Sequence, residues 1–210
     1  MPSSELKLSY FGVSGRGEAA RLALAIGDVE FENDTFGFGE WAARKPNTPY
    51  GSVPVFYVDG MVHAQSNAIL RYCGRVAGLY PGCVKHALKV DELMDTTSDV
   101  ITISGRGSGE GEEKLRAERK KFVDVEIPRY CGGIEKRLEQ FGDGPYAVTE
   151  NLTVADLAIY AMYLMLTSGY LDHVPKDVLD KYTRLTKVCN TVKEHPKVVE
   201  WYKKQAEAQN

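Results

Sequence analysis

Three short stretches hold residue types that could act on a thiol or a carboxylate. In the first, the turn Gly12-Val13-Ser14-Gly15-Arg16-Gly17 sets Tyr10, Ser14 and Arg16 close to the start of a helix. A thiolate or carboxylate held there would gain from the helix dipole, the guanidinium and a phenolic donor. Tyr10 can equally be read as a core aromatic on a strand. In the second, Val53-Pro54 joins the tight loop Thr48-Pro49-Tyr50-Gly51-Ser52 to a strand. Pro54 is either an ordinary trans residue at a strand start, where a backbone donor can be spared, or a fixed cis bond. In the cis form Val53 turns its own N–H and C=O outward, where an extended peptide can pair. The third stretch, Gln65-Ser66-Asn67, stands where the chain turns into a helix. Its first N–H groups suit a carboxylate, although Ser66 also serves as a plain cap. Together the second and third stretches describe a site for a small acidic peptide.

Several other chemistries find no support. The chain has 210 residues, 43% of them hydrophobic and 26% charged, which is the balance of a globular protein with room for a core. A formal net charge of −3 gives no electrostatic case for nucleic acid. Cys73, Cys83, Cys131 and Cys189 are scattered and contain no Cys-x-x-Cys, so they read as free thiols in or near the core. His63, His86, His173 and His195 are equally dispersed, and no metal is expected. Met1-Pro2-Ser3-Ser4-Glu5 lacks the basic and apolar regions of a leader, and no apolar run approaches the ~18 residues of a membrane span. A cytoplasmic location with no membrane partner is the expectation.

The elements that must carry these residues follow from the hydrophobic pattern. Leu6-Lys7-Leu8-Ser9-Tyr10-Phe11 reads as a strand, residues 18–26 as a helix with Arg21 outward, and residues 30–36 as a second strand. Residues 53–58 and 61–64 form a hairpin about Asp59-Gly60, followed by a helix to about Gly78. The order β-α-β, then β-β-α, makes a small mixed sheet with helices. Leu79-Tyr80-Pro81-Gly82 marks a boundary, and no strand is expected beyond it. Helices are expected at 84–103, at 112–141 with a kink at Pro128, at 157–166 as the apolar core, and near 181–194 and 196–205. Thr153 and Asp156 supply a capping box to the apolar helix. The run Ser104-Gly105-Arg106-Gly107-Ser108-Gly109-Glu110-Gly111 reads as a mobile linker, since no strand precedes it and no Gly-Lys-Ser/Thr ends it. Gly12-x-x-Gly15-x-Gly17 has the wrong spacing for a dinucleotide loop.

The motifs Leu8-Ser9-Tyr10-Phe11, Gly15-Arg16-Gly17-Glu18-x-x-Arg21, Trp41-x-x-x-Lys45, Pro49-Tyr50-Gly51-x-Val53-Pro54 and Gln65-Ser66-x-Ala68-Ile69-x-Arg71-Tyr72 resemble those of cytosolic glutathione transferases. The pattern is most similar to the tyrosine-type, sigma-like branch. Thr153-Val154-Ala155-Asp156-Leu157 resembles the family's capping motif, and the match runs colinearly along nearly the whole chain. The resemblance implies a thioredoxin-like glutathione-binding domain at residues 1–82 and an all-helical domain at 83–210 carrying the electrophile pocket. It also implies a homodimer and glutathione as co-substrate. By position, Tyr10 would donate to the glutathione sulfur, with Arg16 beneath it. Trp41 and Lys45 would hold the glycine carboxylate, and Val53 would pair with the cysteinyl backbone beside cis Pro54. Gln65 and Ser66 would take the γ-glutamyl carboxylate. Asp99, the last of the row Asp91, Asp95 and Asp99, would reach the γ-glutamyl amine across the dimer, although such a row can also be a solvated face.

Two features depart from the family pattern. Ser52 stands where many sigma-like relatives carry a basic or longer polar residue, and the glycine-rich 104–111 stretch falls where the family borders its electrophile pocket. The second substrate therefore stays open. The implied activity is attack by a glutathione thiolate on a small hydrophobic electrophile. A glutathione-dependent isomerase of the prostaglandin D synthase kind and a non-catalytic structural relative are the alternatives, and intact Tyr10, Gln65 and Ser66 argue against the latter. Ser14 is a second candidate for activating the thiol, whereas no cysteine lies in the 10–17 turn to support a cysteine-type transferase.

Overall fold

A computed structural model describes residues 5–208; Met1–Ser4, on which the reading of a missing leader largely rested, lie outside the described residues. The contacts divide the chain into two compact units. One comprises the chain up to Tyr80 together with the helix that starts at Pro196, and the other runs Pro81–His195.

The first unit is a four-stranded sheet with helices, a thioredoxin-like arrangement. In chain order it contains β1 (Leu6–Phe11), α1 (Glu18–Ile26), β2 (Glu32–Phe36), the short α2 (Trp41–Arg44), β3 (Val55–Val58), β4 (Met61–Ala64) and α3 (Ser66–Val76). The strands lie in the order β2-β1-β3-β4, with β1 parallel to β2, and β3 antiparallel to both β1 and β4. β1 to β2 is thus a crossover through α1, which packs on α3. The β3–β4 connection turns on Asp59 (φ 51°) and Gly60 (φ 81°), the two positive angles that suit a two-residue hairpin. Leu8, Leu22, Leu24, Phe56 and Ile69 are fully enclosed between sheet and helices. Strand β3 starts two residues later than the sequence suggests, because the ladder is joined only after Pro54.

The second unit is helical: α4 (Val84–Ser104), α5 (Glu112–Lys121), α6 (Ile127–Phe141), α7 (Val154–Thr167) and α8 (Thr183–Glu194). Eleven of the fourteen residues of α7 are buried, so it sits at the centre and packs on α4 and α8. Its start is capped as expected. Thr153 N–H and Oγ1 both donate to Asp156 Oδ2, at 2.7 and 2.9 Å, and Ala147 N–H donates to Oδ1 at 2.6 Å. Burial pushes the enclosed Asp156 carboxyl up to about 6, and those N–H donors pull against it. The last helix, α9 (Pro196–Ala208), packs on α1 of the first unit.

Three expectations are refined. The single long helix expected over 112–141 is α5, a π turn at Phe122–Glu126 and α6, with Pro128 in the first turn of α6. The wider turn admits a proline ring where an α-helical carbonyl four residues back would obstruct it. The glycine-rich stretch is a succession of hydrogen-bonded turns, with Ser108 N–H donating to Gly105 O and Glu110 N–H to Gly107 O. Gly107 (φ 78°) lies so near α5 that a Cβ there would come within 3.1 Å of Leu115 Cα. Finally, Arg21 faces inward rather than outward, at 4% exposure. No described helix is long and apolar enough to cross a membrane.

Candidate functional site

The strand register decides which of the sequence-read residues meet. Ser9 pairs with Val55, and Val55 pairs with Ala64. Continuing this register by one residue, Tyr10 is next on β1, Pro54 immediately precedes β3 and Gln65 immediately follows β4, so the three form a row at one end of these strands. The same edge continues through β2, whose Phe36 pairs with Phe11 and leads toward α2, which starts at Trp41 and is followed by Lys45. Four strands at about 4.8 Å spacing are roughly 15 Å across. An extended peptide of three residues spans about 10 Å, so it fits along this edge.

Tyr10 is buried, and its Oη accepts the Arg16 N–H at 3.1 Å. The ring reaches this place because two glycines leave room for it. A Cβ at Gly15 would lie 2.8 Å from Tyr10 Oη, and one at Gly17 would lie 2.6 Å from the ring. Arg16 is half-buried, and burial lowers its guanidinium from the ordinary value while Tyr10 pulls it back up. Ser14 is half-buried in the same turn.

The turn is held from inside by Arg21. Its guanidinium donates to Phe11 O at 2.7 Å, Val13 O at 3.2 Å and Asn33 Oδ1 at 3.0 Å, and it meets Glu18 Oε2 at 3.1 Å. It also lies 5.4 Å from the Tyr10 ring centre. A buried arginine is tolerated here because backbone carbonyls and a carboxylate satisfy it. The sequence held one clue, an opposite charge three residues away on an otherwise apolar helix.

Trp41 is fixed by aromatic contacts, with its ring centre 6.4 Å from that of Phe36 and 5.8 Å from that of Phe11. Arg44, one helical turn on, donates to Asp34 Oδ2 at 2.9 Å and lies 4.3 Å over the Phe36 ring. Ser9 Oγ donates to the same carboxylate oxygen at 2.7 Å. This set ties α2 to β1 and β2, and burial of Asp34 is outweighed by Ser9 and Arg44, which hold its carboxyl below the usual range. Lys45 is exposed, and its stem lies along Gly51, where a Cβ would come 3.4 Å from Lys45 Cε. That brings the ammonium stem to the loop containing Val53.

The Val53–Pro54 peptide is cis. Val53 is half-buried and stands outside the ladder, which starts at Val55. Gln65, at φ 76° and ψ 106°, is the residue before α3, and Ser66 is the first helical residue rather than the cap. A non-glycine residue in this region costs about 1–3 kcal/mol and persists only where its surroundings impose it. Here the last residue of β4 and the first turn of α3 flank it directly. The eight residues Tyr10, Arg16, Trp41, Lys45, Val53, Pro54, Gln65 and Ser66 all belong to the first unit. Asp99 belongs to the second, exposed on α4. Among the described residues, no cluster of His, Cys, Asp and Glu could hold a metal ion.

Residues 6–75 match the family model for the glutathione S-transferase N-terminal domain, and residues 98–205 match a model for the glutathione S-transferase C-terminal domain. The chain is 32% identical to glutathione S-transferase 3 of Caenorhabditis elegans, over 96% of this chain and 97% of that protein. It is 30% identical to the hematopoietic prostaglandin D synthase of Gallus gallus, over 94% and 95% of the two chains. Among solved structures, the prostaglandin synthase D of Nilaparvata lugens superposes with a TM-score of 0.85 at 29% identity, covering 95% of this chain and 98% of that one.

Proposed function

The chain belongs to the glutathione S-transferase family and is an enzyme of that kind, and on that premise we propose that it binds glutathione along the edge of its sheet and activates the thiol with Tyr10. The observation that carries this reading is the row formed by Tyr10, Pro54 and Gln65. It places a phenol, a cis-proline backbone segment and a helix start on neighbouring strand ends, where strands about 4.8 Å apart suit one extended tripeptide. In the complex Tyr10 donates to the sulfur, with Arg16 beside it. Val53 pairs with the cysteinyl backbone beside Pro54, and Trp41 and Lys45 hold the glycine carboxylate. Gln65, Ser66 and the first turn of α3 hold the γ-glutamyl carboxylate. Asp99 is assigned to the γ-glutamyl amine of the partner subunit's glutathione in a homodimer. The division of labour is between residues 1–82, which bind glutathione, and the all-helical 83–210, which carry the electrophile pocket. Placement in the tyrosine-type, sigma-like branch and in the cytoplasm is part of the same proposal.

A free thiol of pKa about 8.5 is mostly protonated at neutral pH. Lowering that value by ~2 units stabilises the bound thiolate by roughly 2.7 kcal/mol relative to the thiol. Accepting the Arg16 N–H polarises the Tyr10 phenol and makes it a better donor to sulfur. The thiolate then attacks an electrophilic carbon held against it. Homodimerisation is supported by the exposed apolar side chains Tyr50, Met61 and Val62 beside a cavity of about 490 Å³ lined by β3, β4 and α3.

Isothermal calorimetry with millimolar glutathione tests the reading, since absence of binding heat would overturn it. Gln65→Ala or Ser66→Ala should weaken binding by about 1–3 kcal/mol, the cost of leaving a charged group short of a donor. A second reading, isomerisation with glutathione recycled, is favoured by the prostaglandin D synthases among the relatives. It requires turnover of an endoperoxide without net loss of glutathione.

A further inference from the structure

The helix that closes the chain reaches the β1–α1 turn through one side chain. α9 is seated on the first unit by Trp201, stacked on Phe31 at 5.8 Å between ring centres, and by the Lys197–Asp28 pair at 2.5 Å. From that position Tyr202 Oη donates to Glu18 Oε1 at 2.7 Å. The other oxygen of Glu18 meets Arg21, whose guanidinium donates to the carbonyls of Phe11 and Val13. Phe11 follows Tyr10 directly, and the same turn presents Arg16 N–H to Tyr10 Oη. Tyr202 is therefore connected to the phenol assigned to the thiol through Glu18, Arg21 and the turn, from 184 residues away relative to Glu18.

We propose that Tyr202 is a positioning residue for thiol activation. It holds the Glu18 carboxylate so that the Arg21 fork keeps the turn in place under Tyr10. Glu18 is 4% exposed, so removing the Tyr202 hydroxyl leaves a buried carboxylate oxygen short of a donor, and it must re-aim or admit water. Either change loosens Arg21 and the two carbonyls it grips. A hydrogen-bond donor in a catalytic site has to be held within about 0.5 Å of its working position. This inference rests on the reading of Tyr10 given above.

The test is Tyr202→Phe, with Tyr10→Phe, Glu18→Gln and the Tyr202→Phe/Glu18→Gln double variant alongside. The readouts are the ultraviolet absorbance of the bound thiolate against pH and turnover of a small aromatic electrophile. In Tyr202→Phe the thiol pKa should rise by about half a unit, a loss of about threefold in kcat/KM below that pKa. The loss should vanish at high pH, and the KM for glutathione should stay put. Glu18→Gln should shift the pKa in the same direction, and the double variant should be no worse than the worse single. A loss equal at all pH values, an unchanged thiol pKa, or fully additive effects would overturn the proposal. If Tyr10→Phe also leaves the thiol pKa unchanged, the assignment of Tyr10 falls with it; if Tyr10→Phe raises it and Tyr202→Phe does not, only Tyr202 is wrongly assigned.

Discussion

Gly17→Ala should cost this enzyme most of its turnover without removing a single functional group. The added methyl would lie 2.6 Å from Tyr10 Cγ and Cδ1 and 3.0 Å from Tyr10 Cβ. Carbon atoms in good contact stand about 3.5 Å apart or more, so the ring must retreat by about 1 Å. It cannot do so by changing rotamer alone, because its own Cβ is among the crowded atoms. The strain passes to the backbone, where β1 and the start of α1 must separate. Overpacking of this kind costs about 1–3 kcal/mol of stability, small enough for the variant to remain folded. The displaced phenol should cost on the order of a hundredfold in kcat, while the glutathione KM, which the proposal assigns to Trp41, Lys45, Val53, Gln65 and Ser66, should change far less. Steady-state kinetics with a small aromatic electrophile, beside a thermal melt, measures both effects. In a Tyr10→Phe background the same alanine should still lower the melting temperature yet add little further loss of turnover. A Gly17→Ala enzyme of full kcat, or a loss that simply multiplies with that of Tyr10→Phe, would show that the ring does not lie across the turn in the working enzyme.

Tyr10→Phe should lower turnover by one to three orders of magnitude, the usual cost of losing one oriented donor, and Ser14→Ala by much less. If Ser14→Ala raises the bound thiol's apparent pKa and Tyr10→Phe does not, the assignment is reversed. Asp156 makes a prediction about pH. Its carboxyl is raised from 3.8 to about 6 in the fold, so between those values the native state binds more protons than the unfolded chain. Its contribution to stability is therefore complete below about 4 and is lost as pH rises through about 6. Asp156→Asn should flatten that part of the melting-temperature profile while lowering stability at neutral pH by about 1–2 kcal/mol through the weakened cap. An unchanged slope between pH 4 and 6 would refute the account.

What could be read from the sequence was what local chemistry dictates. Asp59-Gly60 between two apolar runs declares its hairpin, and Thr153 with Asp156 declares the start of α7, because each signal lies within four residues of the structure it specifies. Tyr10, Pro54 and Gln65 stand out singly, by position in their motifs. That they form one row needed the register, which depends on the packing of strands far apart in sequence. Arg21 was misplaced because a charge on a helix ordinarily faces water; its acceptors are carbonyls of a turn whose path no pattern reveals. The positive φ of Gln65 had no local sign either, since glutamine is not a turn-forming residue. The geometry of the glycine-rich stretch is hidden for a related reason. Glycines permit mobility, but they also permit the close approach to α5 that Gly107 makes. Tyr202 lay beyond any local signal, since nothing near it in the chain names a partner on α1.

The return of α9 to α1 also bears on how the molecule is made. The first unit is split in the chain, and every residue of the second lies between its two parts. During synthesis the sheet and α1 emerge early, whereas the helix that covers α1 emerges only after all of Pro81–His195 has been made. The second unit is contiguous, so every residue it needs is present while the outer face of α1 is still bare. A ribosome stalled within α8 would therefore hold a chain with Tyr10, Pro54 and Gln65 already made, but with Glu18 still waiting for Tyr202.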